Sequence, residues 1–313
     1  MNDSALAVVL RGVTKKYGDF TAVDSVDLEV PRGSIYGFLG PNGAGKTTTI
    51  RMILDIVKPT RGSIAVLGSD SALKVRNRIG YLPEEKGLYK KMKAWAIISY
   101  FAQLKGIGAK ESKRRAYELL EKYGLKDFAD AKCETLSKGM GQKVQVLASI
   151  AHRPEFVILD EPFSGLDPAN QQVLEGVIRD LRDQGSTVVF STHVMSHAER
   201  MCDRILLVAR AKKIFDGTIP EARALIPRQV RLSGPSRELL ERLPGVARVE
   251  PVEEEGAVGR FELTMADDAH PQDLLRHCFR ESIELASFEH HEPTLHEVFL
   301  HLVGEEAKVA SFR

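Results

Sequence analysis

Residues 40–48 read GPNGAGKTT, a match to G-x-x-x-x-G-K-[ST]. Glycines let a backbone curl until its N–H groups point inward at phosphate oxygens, and a helix starting behind them adds the positive end of its dipole. Lys46 then offers a point charge to the outer phosphates of a nucleoside triphosphate, and Thr47 a hydroxyl to Mg²⁺. Gly40, Pro41, Asn42, Gly43, Ala44, Gly45 and Thr48 make the rest of this cradle. Read without context, the stretch is a glycine-rich turn with a surface lysine; the β-rich run before it and the helical run after it favour the cradle.

Downstream, FVILDEP ends an apolar run in two acids, Asp160 and Glu161. Two carboxylates at the end of a buried strand are costly unless a cation or polar groups compensate them. Mg²⁺ beside phosphates is such compensation, with Asp160 holding the metal and Glu161 polarising an attacking water. The other reading is an acid capping a helix that begins at Pro162. His193 ends TVVFSTH at the carboxyl end of a strand, where α/β proteins place ligands, and is suited to donate a hydrogen bond to a terminal phosphate. LSKGMGQK, residues 136–143, reads either as a flexible joint between helices or as the part of a nucleotide site that a chain supplies to its neighbour.

These groups need a sheet to converge on. Between residues 6 and 40, AVVL, AVDSVDLEV and SIYGFLG are β-rich, with a turn at Pro31-Arg32-Gly33. KTTTIRMILDIV has apolar residues at helical spacing, and GSIAVLG is a short strand. Residues 86 to about 131 look helical. EFVILDEP and STVVFSTH read as strands buried on both faces, and the amphipathic NQQVLEGVIRDLRDQG between them ends at Gly185, giving a βαβ unit. Past residues 220–227 the order becomes strand (229–233), helix (236–242), strand (246–252), strand (259–264), helix (271–280) and strand (283–289), the ferredoxin-like β-α-β-β-α-β order. A last helix, TLHEVFLHLVG, follows Pro293.

The chain has 313 residues, 43% of them hydrophobic, enough for a sizeable core and against global disorder. Lys plus Arg total 44 against 43 Asp plus Glu, so the chain lacks the basic balance of a nucleic-acid binder. Three scattered cysteines, Cys133, Cys202 and Cys278, suggest neither a disulfide framework nor a zinc knuckle and fit a reducing, cytoplasmic setting. The first residues, MNDSALAVVLRG, are acidic where a signal peptide is basic. AWAIISYFAQL has 11 residues, whereas a membrane span needs about 20.

Taken in order, these motifs resemble one family, the ATP-binding subunits of ABC transporters. GPNGAGKTT resembles its Walker A loop, LSKGM its LSGGQ signature, VILDEP its Walker B strand, SGLDP (residues 164–168) its D-loop and STH its switch histidine. The resemblance covers about residues 6–220. It implies a P-loop NTPase fold of α/β class with an antiparallel β subdomain and a helical subdomain, here followed by a small α+β domain. The expected boundaries are 1–220 for the cassette (helical subdomain about 86–150), 221–227 for a linker, 228–304 for the small domain and 305–313 for a tail. By family role, residues 40–48 bind ATP, Tyr17 stacks on adenine, Asp160 and Thr47 order Mg²⁺, Glu161 is the general base and His193 holds the γ-phosphate. Ser137, Lys138, Gly139 and Met140, with Ser164 and Asp167 of the D-loop, would act across a head-to-tail dimer of two such subunits, identical or related. The partner would be a transmembrane permease, and the subunit would sit on the inner face of the membrane, hydrolysing ATP to ADP and phosphate.

Two motifs depart from the family pattern, at three positions. The signature carries Lys138 and Met140 where Gly and Gln are common; Lys138 adds a cation near a shared phosphate or faces solvent, and Met140 weakens the contact by losing amide donors. IGYLPEEKGLY has Glu84 where the family has glutamine, either a ligand approaching Mg²⁺ or a solvent-facing acid. Glu84, LSKG and the ending EPTLHEVFLHLVG resemble the sodium- or drug-exporting ABC-2 branch. GLYKKMKAWAIISYF, with Trp95, reads either as a surface for a membrane partner or as a packed helix with a basic edge. Six of nine histidines lie beyond residue 269, but His296 and His301 are five apart and do not share a helix face, so a polar surface is favoured over a metal site. The alternatives in function are a soluble ABC ATPase acting outside transport, against which the single cassette and absence of sustained heptads argue, and a regulatory module in which the C-terminal domain senses a ligand.

Overall fold

Two long strands, Leu6–Tyr17 (β1) and Phe20–Pro31 (β2), form an antiparallel hairpin. The computed structural model describes residues 5–85, 87, 89–252 and 259–304, so the expected tail at 305–313 lies outside the described residues. Next come Ile35–Leu39 (β3), the helix Lys46–Ile53 (α1) and Arg61–Val66 (β4), which pairs with β1 to complete a sheet in the order β2-β1-β4. Ile79–Leu82 (β5) leads to three helices, Ala94–Leu104 (α2), Ala109–Lys122 (α3) and Lys138–Ile150 (α4). The chain returns through Phe156–Leu159 (β6), Pro168–Asp183 (α5), Thr187–Thr192 (β7), Met195–Met201 (α6), Arg204–Ala209 (β8) and Lys212–Gly217 (β9).

The second sheet runs β5-β6-β7-β3-β8-β9, parallel except for the antiparallel edge strand β9. Every residue of β3, β6 and β7 is buried, which is why they read as unbroken apolar runs rather than alternating ones. One core joins both sheets through α1: Val8, Leu10 and Leu28 of the first sheet pack with Ile50 and Ile53 and with Phe38 and Ile158 of the second. The parallel strands β5, β6, β7 and β3 all release their carboxyl ends on one side, and the four candidate segments leave there.

Three differences from the sequence reading have local causes. The helix after the phosphate loop stops at Ile53 rather than Val57, because Asp55 takes a left-handed turn (φ 61°). Helix does not fill residues 86–131: α2 starts at Ala94, and Gly106 (φ 93°) breaks it from α3. Strands β5, β8 and β9 were not read as such.

A second compact unit begins at Ile219. It contains Ile219–Arg223 (α7), Gln229–Ser233 (β10), Arg237–Leu240 (α8), Val246–Pro251 (β11), Arg260–Met265 (β12), Pro271–Arg280 (α9), Ser287–His291 (β13) and Leu295–Val303 (α10). Its sheet order, β11-β12-β10-β13 with every pair antiparallel, is the ferredoxin-like arrangement. Val230, Leu232 and Leu263 on the sheet pack with Leu240 of α8 and with Leu274 and Cys278 of α9. The last strand lies later than residues 283–289, because Ser282 (φ 56°) ends α9 and Ile283 N–H caps Cys278 O at 2.9 Å. Part of the stretch read as a linker is the end of α7, which packs on α10, and Thr294 with Glu297 forms a capping box at the start of α10.

His152, just past α4, is 8% exposed; its Nε2 lies 3.1 Å from Ile79 O, and its Nδ1 is buried without a partner. Burial, aided by the charges of Lys105 and Arg115, lowers its pKa from 6.5 to about 4. The unfolded chain therefore takes up this proton near pH 6.5 and the folded chain only near pH 4, so stability is full above pH 6.5 and falls toward pH 4. Urea unfolding should show wild-type stability falling about 2 kcal/mol more than that of His152→Gln between pH 7 and pH 5. Parallel pH profiles for the two proteins would remove His152 as the cause.

Candidate active site

The phosphate loop is wedged between two strands. Gly40 passes so close to β8 that a Cβ there would lie 2.2 Å from Val208 O, and at Gly45 (φ 104°) a Cβ would lie 2.4 Å from Ala22 O of β2. Only glycine fits either place. Lys46 opens α1 and is 6% exposed; its ammonium donates to Gly40 O at 2.6 Å and Pro41 O at 3.2 Å and lies 3.5 Å from Glu161 Oε1. Burial lowers its pKa, opposed by the negative charges of Glu161, Asp160 and Glu84. Thr47 Oγ1 donates to Asp160 Oδ1 at 3.4 Å, and Thr48 is half-buried behind it. Asn42 and Gly43 are exposed at the tip, Pro41 is half-buried and Ala44 is buried. Tyr17 ends β1, 49% exposed, with Lys15 Nζ 4.9 Å from its ring centre.

Asp160 and Glu161 follow β6 directly and are 1% and 7% exposed. They cap no helix, since the next one begins at Pro168 with Asp167 as its cap. Asp160 N–H donates to Leu82 O of β5 at 2.9 Å. Glu161 takes a left-handed backbone (φ 46°), uncommon for a non-glycine residue. Its Oε2 lies 3.0 Å from His193 Nδ1. Its Oε1 makes no hydrogen bond although the Lys46 ammonium is near, and Asp160 Oδ2 is likewise buried without a partner. Unsatisfied buried carboxylate oxygens are costly, on the order of 1–3 kcal/mol each, and mark places where a cation or a proton donor fits. Asp160 Oδ2 and the Thr47 hydroxyl are the oxygens suited to a small divalent cation sharing its remaining ligands with phosphates and water.

Glu84 is exposed, two residues beyond β5, and its charge reaches Lys46. The residues 137–140 start α4. Ser137 is its N-cap, accepting Met140 N–H at 3.2 Å, so the glycine-rich stretch opens a helix and is not a joint. The neighbours of Lys138 and Gly139 lie in residues 165–170: a Cβ on Gly165 would meet Lys138 Nζ at 2.3 Å, and one on Gly139 would meet Asn170 Nδ2 at 2.6 Å. Ser164 is exposed, its N–H bonded to Glu161 O at 3.2 Å, and Asp167 accepts Asn170 N–H at 2.9 Å. That bond is the main cause of the lowered Asp167 pKa.

Three groups escaped the sequence reading. Ser191 bonds to both Asp160 and Glu161 N–H; its only signal was its place two before His193, on the same side of a strand. Gln142, 3% exposed, donates to Pro162 O at 2.6 Å and ties α4 to the turn behind Glu161. On the far side of that turn Phe163 stacks on His197 at 4.2 Å, and Arg200 joins His197 to Glu175.

A cleft of about 280 Å³ opens between the turn after β5, α2 and α4, lined by Tyr81, Leu82, Pro83, Phe101 and Ala148. Trp95 is stacked on Tyr117 at 5.8 Å and under Lys113 Nζ at 4.8 Å, a half-buried packed residue. Among the described residues no group of three or more His, Cys, Asp or Glu is arranged to hold a metal by itself, and no helix is long and apolar enough to cross a membrane. His291 instead pairs with Glu297 at 3.0 Å.

Residues 23–164 match the family described as ABC transporter, and residues 217–303 match the ATP-binding protein DrrA1-3-like, C-terminal domain. The uncharacterized ABC transporter ATP-binding protein YhaQ of Bacillus subtilis is 38% identical over 294 residues, covering 93% of this chain and 97% of that one. The daunorubicin resistance ATP-binding protein DrrA3 of Streptomyces coeruleorubidus is 34% identical, covering 97% of this chain and 98% of that one. A solved structure of an ATP-binding subunit of an ABC transporter aligns with a TM-score of 0.65 and 29% identity, covering 70% of this chain and 92% of that one.

The crowding at Gly45 is testable on its own. Gly45→Ala should lower stability by about 2 kcal/mol or more, read as an earlier urea midpoint, because its Cβ has no space and its φ disfavours a side chain. A wild-type midpoint would show that the loop relaxes away from Ala22.

Proposed function

The chain belongs to the ATP-binding proteins of ABC transporters, a family that hydrolyses ATP, and from that premise we propose that it drives export through a separate membrane permease, with Mg²⁺ as cofactor. The observation that carries the catalytic part is the meeting of Lys46, Thr47, Asp160, Glu161 and His193 at one end of a parallel sheet. The loop amides and Lys46 bind the triphosphate, with adenine on exposed Tyr17. Glu161 Oε1, buried and without a hydrogen bond, accepts a proton from the water that attacks the γ-phosphorus as the bond to ADP breaks. His193, oriented by Glu161 Oε2, donates to the γ-phosphate. Mg²⁺, when bound, neutralises charge on the phosphates, and Asp160 and Thr47 are the residues that would hold it. Glu84 stands within electrostatic reach of the same centre.

Ser137 and the backbone of Lys138, Gly139 and Met140 serve a second subunit's ATP rather than their own, together with Ser164 and Asp167; the reading is supported by the packing of Lys138 on Gly165 and of Gly139 on Asn170, which brings the two segments together. The pair is a homodimer or a heterodimer with a related subunit. The ammonium end of Lys138 lies against Gly165 of its own chain, which favours an in-chain contact over a free solvent position. The cleft beside Phe101 is suited to a short helix of the permease, which would place the subunit on the inner face of the membrane. The resistance named for DrrA3 supports export of a toxic compound.

Glu161→Gln in the full chain should lower ATP turnover about 100-fold or more while ATP still binds, and a two-copy species should accumulate in light scattering with MgATP. Unchanged turnover would remove Glu161 as the base. A variant that binds ATP yet stays a single copy at every concentration would sink the two-subunit site.

A further inference from the structure

Ser191 is 0% exposed and stands on β7 with its side chain at the end of β6. A hydroxyl has one proton to give and lone pairs to receive with. Here the proton goes to Asp160 Oδ1, and a lone pair takes the Glu161 N–H at 2.9 Å. One hydroxyl thus ties the side chain of the first acid to the backbone of the second. Two geometric consequences follow. The Asp160 carboxylate is held by Oδ1, which leaves Oδ2 buried and without a partner. The left-handed bend at Glu161 is anchored at its own N–H, and that bend directs the carboxylate toward Lys46 and His193. Among the described residues, Asp160 Oδ1 has besides Ser191 the long 3.4 Å bond from Thr47.

We propose that Ser191 is a positioning residue for ATP hydrolysis, which fixes the metal-facing oxygen of Asp160 and the bend at Glu161 through one hydroxyl. Fully buried, it acts through its two neighbours. The inference rests on the catalytic reading given above.

The test compares the full-length chain with Ser191→Ala and with Ser191→Cys, which keeps the size of the side chain and gives up its strong hydrogen bonds. Calorimetry measures ATP affinity in EDTA and in Mg²⁺, steady-state assays give turnover at saturating MgATP, and a thermal scan confirms folding. Both variants should bind ATP in EDTA like the wild type, lose about tenfold of the affinity gained with Mg²⁺, and lose about tenfold or more in turnover. If Ser191→Ala does not fold, Ser191→Cys alone decides by the same numbers. The proposal is overturned if the Mg²⁺-dependent gain and turnover survive in the variants, or if affinity in EDTA drops by the same factor. A wild-type chain that fails to bind ATP overturns the catalytic reading itself; a wild type that binds beside variants that behave identically overturns only the role of Ser191.

Discussion

The centre of this molecule is a charged cluster held out of water. Lys46, Asp160 and Glu161 are each less than a tenth exposed, and the lysine lies 3.5 Å from the nearer glutamate oxygen. Burying ions is unfavourable unless each has partners, so the surroundings must supply them. Loop carbonyls accept hydrogen bonds from the lysine, Leu82 O accepts the Asp160 N–H, and Ser191 of β7 and His193 just past it meet the acids. Two oxygens are left without a hydrogen bond, Asp160 Oδ2 and Glu161 Oε1, the latter with the Lys46 ammonium 3.5 Å away. They are the part of the cluster that a substrate complex would complete, and their cost falls on the unliganded protein.

Much of this was legible in the residues because its chemistry is local. A phosphate loop is a contiguous motif, and the acids end a continuous apolar run whose burial on both faces is visible as the absence of alternation. In the second unit the clearest local signal is β10, where buried Val230 and Leu232 alternate with half-buried residues. What escaped reading depends on contacts between distant segments. Apart from its place two before His193, nothing in the sequence distinguishes Ser191 from any strand serine until β7 is laid beside β6. Strands β5 and β9 are short or carry charge, and β9 holds Lys212, Lys213 and Asp216. The helix end at Ile53 was set by a left-handed turn at Asp55, a residue without the glycine that usually announces such a turn.

The helix that opens at Ser137 is bound closely to the turn that follows the acids. Gln142 reaches Pro162 O, Asn170 lies under Gly139, and Lys138 rests on Gly165. The surface a subunit would offer outward and the acids it would keep for its own substrate therefore share one packed segment. Phe163 is the far wall of that segment, stacked on His197, which Arg200 and Glu175 hold in turn.

The pairing of β6 with β7 sets Leu159 opposite Phe190, and so the two residues after this pair stand side by side beyond it. Side chains on a strand point alternately to its two faces, so a slip of a single residue would present Thr192 or Phe190 where Ser191 now stands. The ladder thus works as a gauge, setting which atoms meet without any contact to what they act on. Sequence can lengthen or shorten around it, in α5 or the turns that flank it, and leave the gauge intact. An insertion within β7 would keep every residue type of the centre and scramble their pairing.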